Sequence, residues 1–398
     1  MKAVLFFVSC FLAFVGGHIT NYSVIIYAQE IFDSDLLSGV GFALCFGPPV
    51  ILGWIAGVYS DKLPPSYLVM GSQMIFVGVG ALFFVMHGMA PDAWAKVALF
   101  VLGAFLTGVG WSFISPSRFA ALAQIVSEAN LHRATVIFNL LIMIGFGLAP
   151  LLIASLKVSY GWAGVFSAIS LLFFVATLMI VGIRTSAVAT GKQSVRDHIR
   201  VGLQGVLSTP LLWQLLICSM LVYSMMGPMQ VLLPRFAVAV LSFSEYQRGW
   251  FLGVLALSLI CGGILSMLLA KRVPAGRAIG FCIVTGALAI GAISQATGGI
   301  GASLILLAAG IAGGFAVSLI VAGLQEQSPM MIRGRVMSIY TITSQVLPAV
   351  SGLLAGVASQ YLGVVSALML CGGLIAMLAL IAMTKLLAVK SYHLAHET

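Results

Sequence analysis

Apolar positions come in blocks along this chain rather than in stripes. Between Lys2 and Glu30 no Lys, Arg, Asp or Glu interrupts VLFFVSCFLAFVGGHITNYSVIIYA, and its few polar positions include one histidine, His18. A helix in a soluble domain carries one apolar face, whereas a block that is apolar on every side and about twenty residues long matches the thickness of a bilayer core. Cutting the sequence wherever charge, proline or glycine clusters interrupt such blocks gives twelve of them: roughly 4–28, 36–59, 66–87, 95–117, 134–156, 161–183, 211–234, 247–270, 275–296, 300–322, 335–358 and 363–387. The short alternating strands of a membrane barrel are not seen. The pattern predicts an all-α membrane protein with twelve transmembrane helices in two pseudo-symmetric six-helix bundles.

The division into two follows from one long polar insert, Arg184 to Ser208, with six blocks on either side. Residues 1–183 form the expected N-terminal bundle, 184–208 a cytoplasmic linker and 209–398 the C-terminal bundle. Twelve crossings put both termini on one side. If that side is the cytoplasm, fifteen of the nineteen Lys and Arg lie inside, and only Lys96, Lys157, Arg235 and Arg248 lie outside, as the positive-inside rule requires. An internal repeat gives the same division. A shift of 209 residues sets GWIAGVYSDKLPPSYLVMG on GGILSMLLAKRVPAGRAIG, and a shift of 202 sets Arg133 on Arg335 and Gly108 on Gly310. Duplicated halves with a site where they meet, near the bilayer midplane, are a transporter architecture.

Composition narrows the function. With 61% apolar and 7% charged residues, the chain lacks the convergent acids, bases and nucleophiles of a membrane enzyme, and no enzymatic activity is expected. The net charge of +9 reads as a set of topology markers rather than as a nucleic-acid surface. Six cysteines fall inside apolar runs without metal-ligand spacing, so they are expected to pack, with no metal and no cofactor. The first block continues to Tyr27 without a cleavage site, so it reads as a first helix rather than a removable leader. No GxxxxGK[ST] loop is present, which excludes ATP bound at such a loop as the direct drive.

Between the second and third blocks the chain reads GVYSDKLPPSY, in which Gly57, Asp61 and Lys62 resemble the loop signature of the major facilitator superfamily. Pro64, Pro65 and Ser66 depart from that signature. Asp61 at a helix end needs a partner, and the topology offers Arg118 and the start of the eleventh helix beside Arg335. These residues are the expected gate, a cytoplasmic clasp whose opening favours the inward-open state. Met143 to Ser155, MIGFGLAPLLIAS, resembles the helix-5 motif of the antiporter branch through Gly145 and Pro150, with Ala149 and Ala154 in place of glycines. A bend against a neighbouring helix is expected there, with ordinary tight packing as the alternative. The stretches around helix 4 and helix 10 resemble exporters of drugs, siderophores and lysophospholipids. Where many relatives carry an acid after a glycine of helix 1, this chain reads Gly16-Gly17-His18.

Polar residues inside the spans are the candidate substrate site, because each is costly to turn toward lipid. His18, Asn21 and Tyr22 share one face of the first helix. Tyr223 and Gln230 lie on the seventh, Asn139 on the fifth, and Tyr340, Thr341, Ser344 and Gln345 on the eleventh. All ten acids sit at ends or in loops, so His18 is the one mid-span candidate for a coupling proton. Met225, Met226 and Met229 could line a soft-metal path but fit adaptable packing better. The sequence thus implies a monomeric secondary transporter in a bacterial inner membrane, its partners being the lipid bilayer and a small or amphipathic organic solute, with export the leading direction. Import of a metal-chelate or nutrient and a non-transporting receptor or scaffold are the rival readings.

Overall fold

The structure, a computed structural model, describes residues 2–53, 63–90, 94–187, 203–269 and 272–392. Among the described residues there are helices and no strands, and eleven helices are long and apolar enough to cross a membrane. The difference from the expected twelve is a matter of continuity. The fifth and sixth blocks follow one another in one element, α5 (Glu128–Ile180), in which two helices meet at a kink: the backbone at Gly161 is non-helical, with φ 65° and ψ −168°. The two limbs, near 134–156 and 161–183, are the two predicted spans, joined without a loop.

The chain divides into two compact units. Unit 1 is Met1–Gly191 with Phe243–Gly253, and unit 2 is Lys192–Ser242 with Val254–Thr398. Unit 1 contains α1 (Lys2–Ile31), α2 (Asp35–Phe46, with its apolar span running to Gly53), α3 (Pro65–His87), α4 (Trp94–Ile125), α5 and the first turns of α7 (Glu245–Leu269). A turn at Asp33 ends α1, and Ser34 caps α2, its Oγ accepting from the Leu37 N–H at 3.0 Å. Pro65 opens α3 at the position where a missing N–H costs nothing. α1 packs along α5, and α3 along α4 and α5. A buried polar chain ties three of these helices together. Gln73 donates to Ser9 Oγ at 3.0 Å, Ser9 donates to the Ala176 carbonyl at 2.7 Å, and Thr177 donates to Gln73 Oε1 at 3.0 Å.

Unit 2 contains α6 (Pro210–Ala239), the rest of α7, α8 (Ala275–Ile293), α9 (Gly299–Gln327), α10 (Met330–Leu362), α11 (Val364–Lys385) and a single turn, α12 (Leu387–Lys390). α6 packs on α10, and α8 on α9 and α11. The tail is strapped down. Val389 N–H donates to Gln214 Oε1 of α6 at 3.0 Å, Gly276 N–H of α8 to the Tyr392 carbonyl at 3.1 Å, and the Tyr392 hydroxyl to Glu326 Oε2 of α9 at 2.9 Å. Large apolar side chains such as Met267, Phe281 and Ile300 remain exposed, as helices facing lipid tails require.

Candidate functional site

In unit 1, α1 turns His18, Asn21 and Tyr22 toward α4 and α5, as their spacing demands. Gly17 makes this possible: a Cβ there would stand 2.5 Å from the Trp111 ring, so only glycine lets the indole of α4 lie on α1. Trp111 Nε1 then donates to Asn21 Oδ1 at 3.2 Å. The His18 ring sits 6.0 Å from Trp111 and 5.3 Å, edge-on, from Phe146 of α5, and Tyr22 stacks on the same Phe146 at 5.7 Å. His18 Nε2 is buried and has no hydrogen-bond partner among the described residues. One turn earlier on α1, Phe14 packs edge-on against Phe138 at 5.1 Å and lies beneath the Arg118 guanidinium at 4.9 Å. Together these rings form an aromatic column on three helices, with an amide, an imidazole and a guanidinium set into it.

A second constellation closes one end of the same unit. Lys157 of α5 bonds Glu30 of α1 at 2.5 Å and Glu245 of α7 at 2.7 Å. Arg248 of α7 bonds Glu30 at 2.6 Å and also Glu245. The four groups form a ring of alternating sign with zero net charge. Arg248 is almost fully buried and the carboxylates are about a quarter exposed. Trp162 walls the ring, its Nε1 donating to Glu30 Oε2 at 3.2 Å while Lys157 Nζ lies 5.3 Å from its ring centre. Close by, Gly249 lets α7 approach α5, since a Cβ there would stand 2.9 Å from the Pro150 carbonyl.

Unit 2 offers a smaller arrangement. The Tyr223 and Tyr340 hydroxyls meet at 2.6 Å across α6 and α10. Beside Tyr223, the Met225, Met226 and Met229 side chains line an apolar cavity of about 40 Å³ that is completed by Gly286 and Gly313.

A model of the Major Facilitator Superfamily matches residues 5–351. The chain belongs to that superfamily. It is an integral membrane transporter of the facilitator fold. Solved structures agree in fold: a POT family transporter in complex with a thioalcohol-conjugated peptide superposes with a TM-score of 0.77 at 11% identity, covering 98% of this chain and 96% of that one. A bacterial homologue of the human lysosomal transporter Spinster, inward-facing and unoccupied, gives 0.74 at 14% identity over 98% and 96%. No curated protein sequence matches the chain.

The facilitator brings together some of the expected site residues and not others. His18, Asn21 and Tyr22 form one group, and Tyr223 and Tyr340 another. Gln230 is buried, Gln345 is half-buried and Asn139 is exposed. Thr341 and Ser344 turn their hydroxyls back onto their own helix, to the carbonyls of Met337 and Thr341 at 2.9 and 2.7 Å. Of the expected cytoplasmic clasp, Gly57, Asp61 and Lys62 lie outside the described residues. Arg118 is buried without a hydrogen-bond partner among the described residues, and Arg335 is half-buried. Gly145 and Pro150 sit where α5 touches its neighbours: a Cβ on Gly145 would stand 2.9 Å from the Phe14 backbone, and the Pro150 carbonyl faces Gly249. Sequence reading placed each member of the ionic ring near a helix end but paired none of them. The i, i+3 spacing of Glu245 and Arg248, on the side assigned few cations, was the available signal.

Proposed function

We propose that this facilitator is a secondary transporter that exports a small or amphipathic organic solute by alternating access, with both termini in the cytoplasm of a bacterial cell. The observation that carries this reading is the aromatic column. It offers ring faces, one amide already held by Trp111 and one partnerless imidazole nitrogen, and among the described residues no carboxylate enters it. Such a lining suits an apolar body with few polar groups, because unpaired polar atoms in a low-dielectric site reward a solute that satisfies them. The ionic ring supports a gate at its end of unit 1: four hydrogen-bonded charges are strong enough to hold a closed state and can be exchanged for water in an open one. The antiporter-like stretch at Gly145 and Pro150 supports the outward direction.

Flux into and out of vesicles reconstituted with the purified protein tests this reading. The probes are a dansylated alkyl carboxylate, neutral N-phenylnaphthylamine and dialanine. Protein-dependent flux of an amphipathic dye is expected, with the ring variant Arg248→Gln altering it. Vesicles holding folded protein that move none of the three would overturn the proposal, and movement of dialanine alone would replace the solute class. If a pH gradient drives flux in the native chain and still does so in His18→Ala, His18 is not the coupling group.

A further inference from the structure

Among the described residues Arg118 is the largest fully buried side chain, and none of its three guanidinium nitrogens has a hydrogen-bond partner there. The Ser117 hydroxyl beside it is also buried and has no hydrogen-bond partner among the described residues. The face of Phe14 lies beside it, and a cation–π contact of that kind is worth about 2 kcal/mol when desolvated. Leaving a guanidinium dry and unpaired costs several times more, so a chain that keeps one has a use for its donors. Three of the acids are held by other groups: Glu30 and Glu245 in the ionic ring, and Glu326 by Tyr392.

We propose that Arg118 is the anion subsite of the solute pathway, and that the solute is an organic anion whose apolar body lies along the aromatic column. This rests on the transport reading and names the class of its substrate. The placement favours it. Phe14 precedes His18 by four residues and Arg118 follows Trp111 by seven, so both continue the aromatic layer along the same two helix faces, by about 6 Å on α1 and about 10 Å on α4. A carboxylate or phosphate there accepts from two guanidinium donors at once, a geometry arginine presents in a fixed fork. The apolar remainder then reaches Trp111, Phe146 and Tyr22 and brings the partnerless His18 nitrogen within range of a polar group further along the solute.

The same chemistry could be supplied by a transported solute or by a resident phospholipid headgroup, and two measurements separate them. First, binding is read by tryptophan fluorescence on the full chain in neutral detergent at fixed ionic strength, with decanoate, decan-1-ol and decyltrimethylammonium as probes. The native protein is expected to prefer decanoate over the other two by tenfold or more. Arg118→Gln should remove that preference while leaving decanol unchanged, and Arg118→Lys should fall between. Equal binding of decanoate and decanol by the native protein overturns the assignment, a comparison that stands even if a variant fails to fold. Asp61→Asn tests the other source of counter-charge: a tenfold gain in decanoate binding would mean that this carboxylate, not a ligand, pairs with Arg118, and would overturn the assignment. Second, decanoate flux in vesicles makes the anion the cargo. Binding without flux of any probe keeps the site for a lipid and overturns the transport reading, whereas lost preference with flux intact overturns the site alone.

Discussion

Gly161 holds φ at 65° and ψ at −168°, a region essentially confined to glycine that an L side chain enters at a cost of about 1–3 kcal/mol. Gly161→Ala should therefore lower the unfolding free energy by about that amount, read as a reduced melting temperature in detergent, although nothing lies within 4 Å of the added methyl group. Strain, not crowding, is what the substitution tests. At this scale the sequence was legible where geometry is local. His18, Asn21 and Tyr22 share a face because 3.6 residues make a turn, and the structure keeps them together. It was illegible where a hydroxyl satisfies itself. Thr341 and Ser344 bond carbonyls of the preceding turn, so a serine or threonine in a span does not by itself announce a cavity.

The last span and the tail after it show what an element contributes beyond its length. α12 is one turn, too short to stand alone, and its position comes from Gln214, Gly276 and Glu326 on three other helices. Burial first, then the hydrogen bond to the Glu326 carboxylate, raises the Tyr392 hydroxyl above the usual tyrosine range. The folded state thus favours the neutral phenol. Its contribution is complete below about pH 10 and is lost as pH rises from there toward the higher folded value. Tyr392→Phe should cost about 1.5–3 kcal/mol at neutral pH, the range for a hydrogen bond to a charged acceptor, and should flatten the alkaline fall in melting temperature. Nothing in the sequence foretold this strap, because four residues carry no periodicity. The spans themselves were legible for the opposite reason, since twenty apolar residues leave the backbone no partner but itself.

For the whole molecule, the ionic ring decides how charge variants behave. Each cation touches both acids, so the four groups act as a unit rather than as two separable pairs. Arg248→Gln should cost roughly 2 kcal/mol, between the values for exposed and buried pairs. Adding Glu30→Gln to it should recover about 1 kcal/mol, because Lys157 and Glu245 are left as one neutral pair. Melting curves of the two variants check this, and a double variant less stable than the single would contradict the ring. Swapping only Glu30 and Lys157 should not rescue, since each reversed charge meets a like charge at its other neighbour. Charge asymmetry along the sequence sorted Lys157 and Arg248 into the smaller group of cations, an expectation about sides. It could not tell the pairing, which joins positions 127 and 218 residues apart.

That separation has a consequence for how the protein is made. Unit 1 includes residues 243–253, which a ribosome delivers only after residues 192–242 and so after the whole of α6. The N-terminal half therefore emerges with Glu30 and Lys157 in place while Glu245 and Arg248 are still to come. Severing the gene between the halves and expressing the pieces together should yield a first piece that stays protease-sensitive near Glu30 until the second arrives.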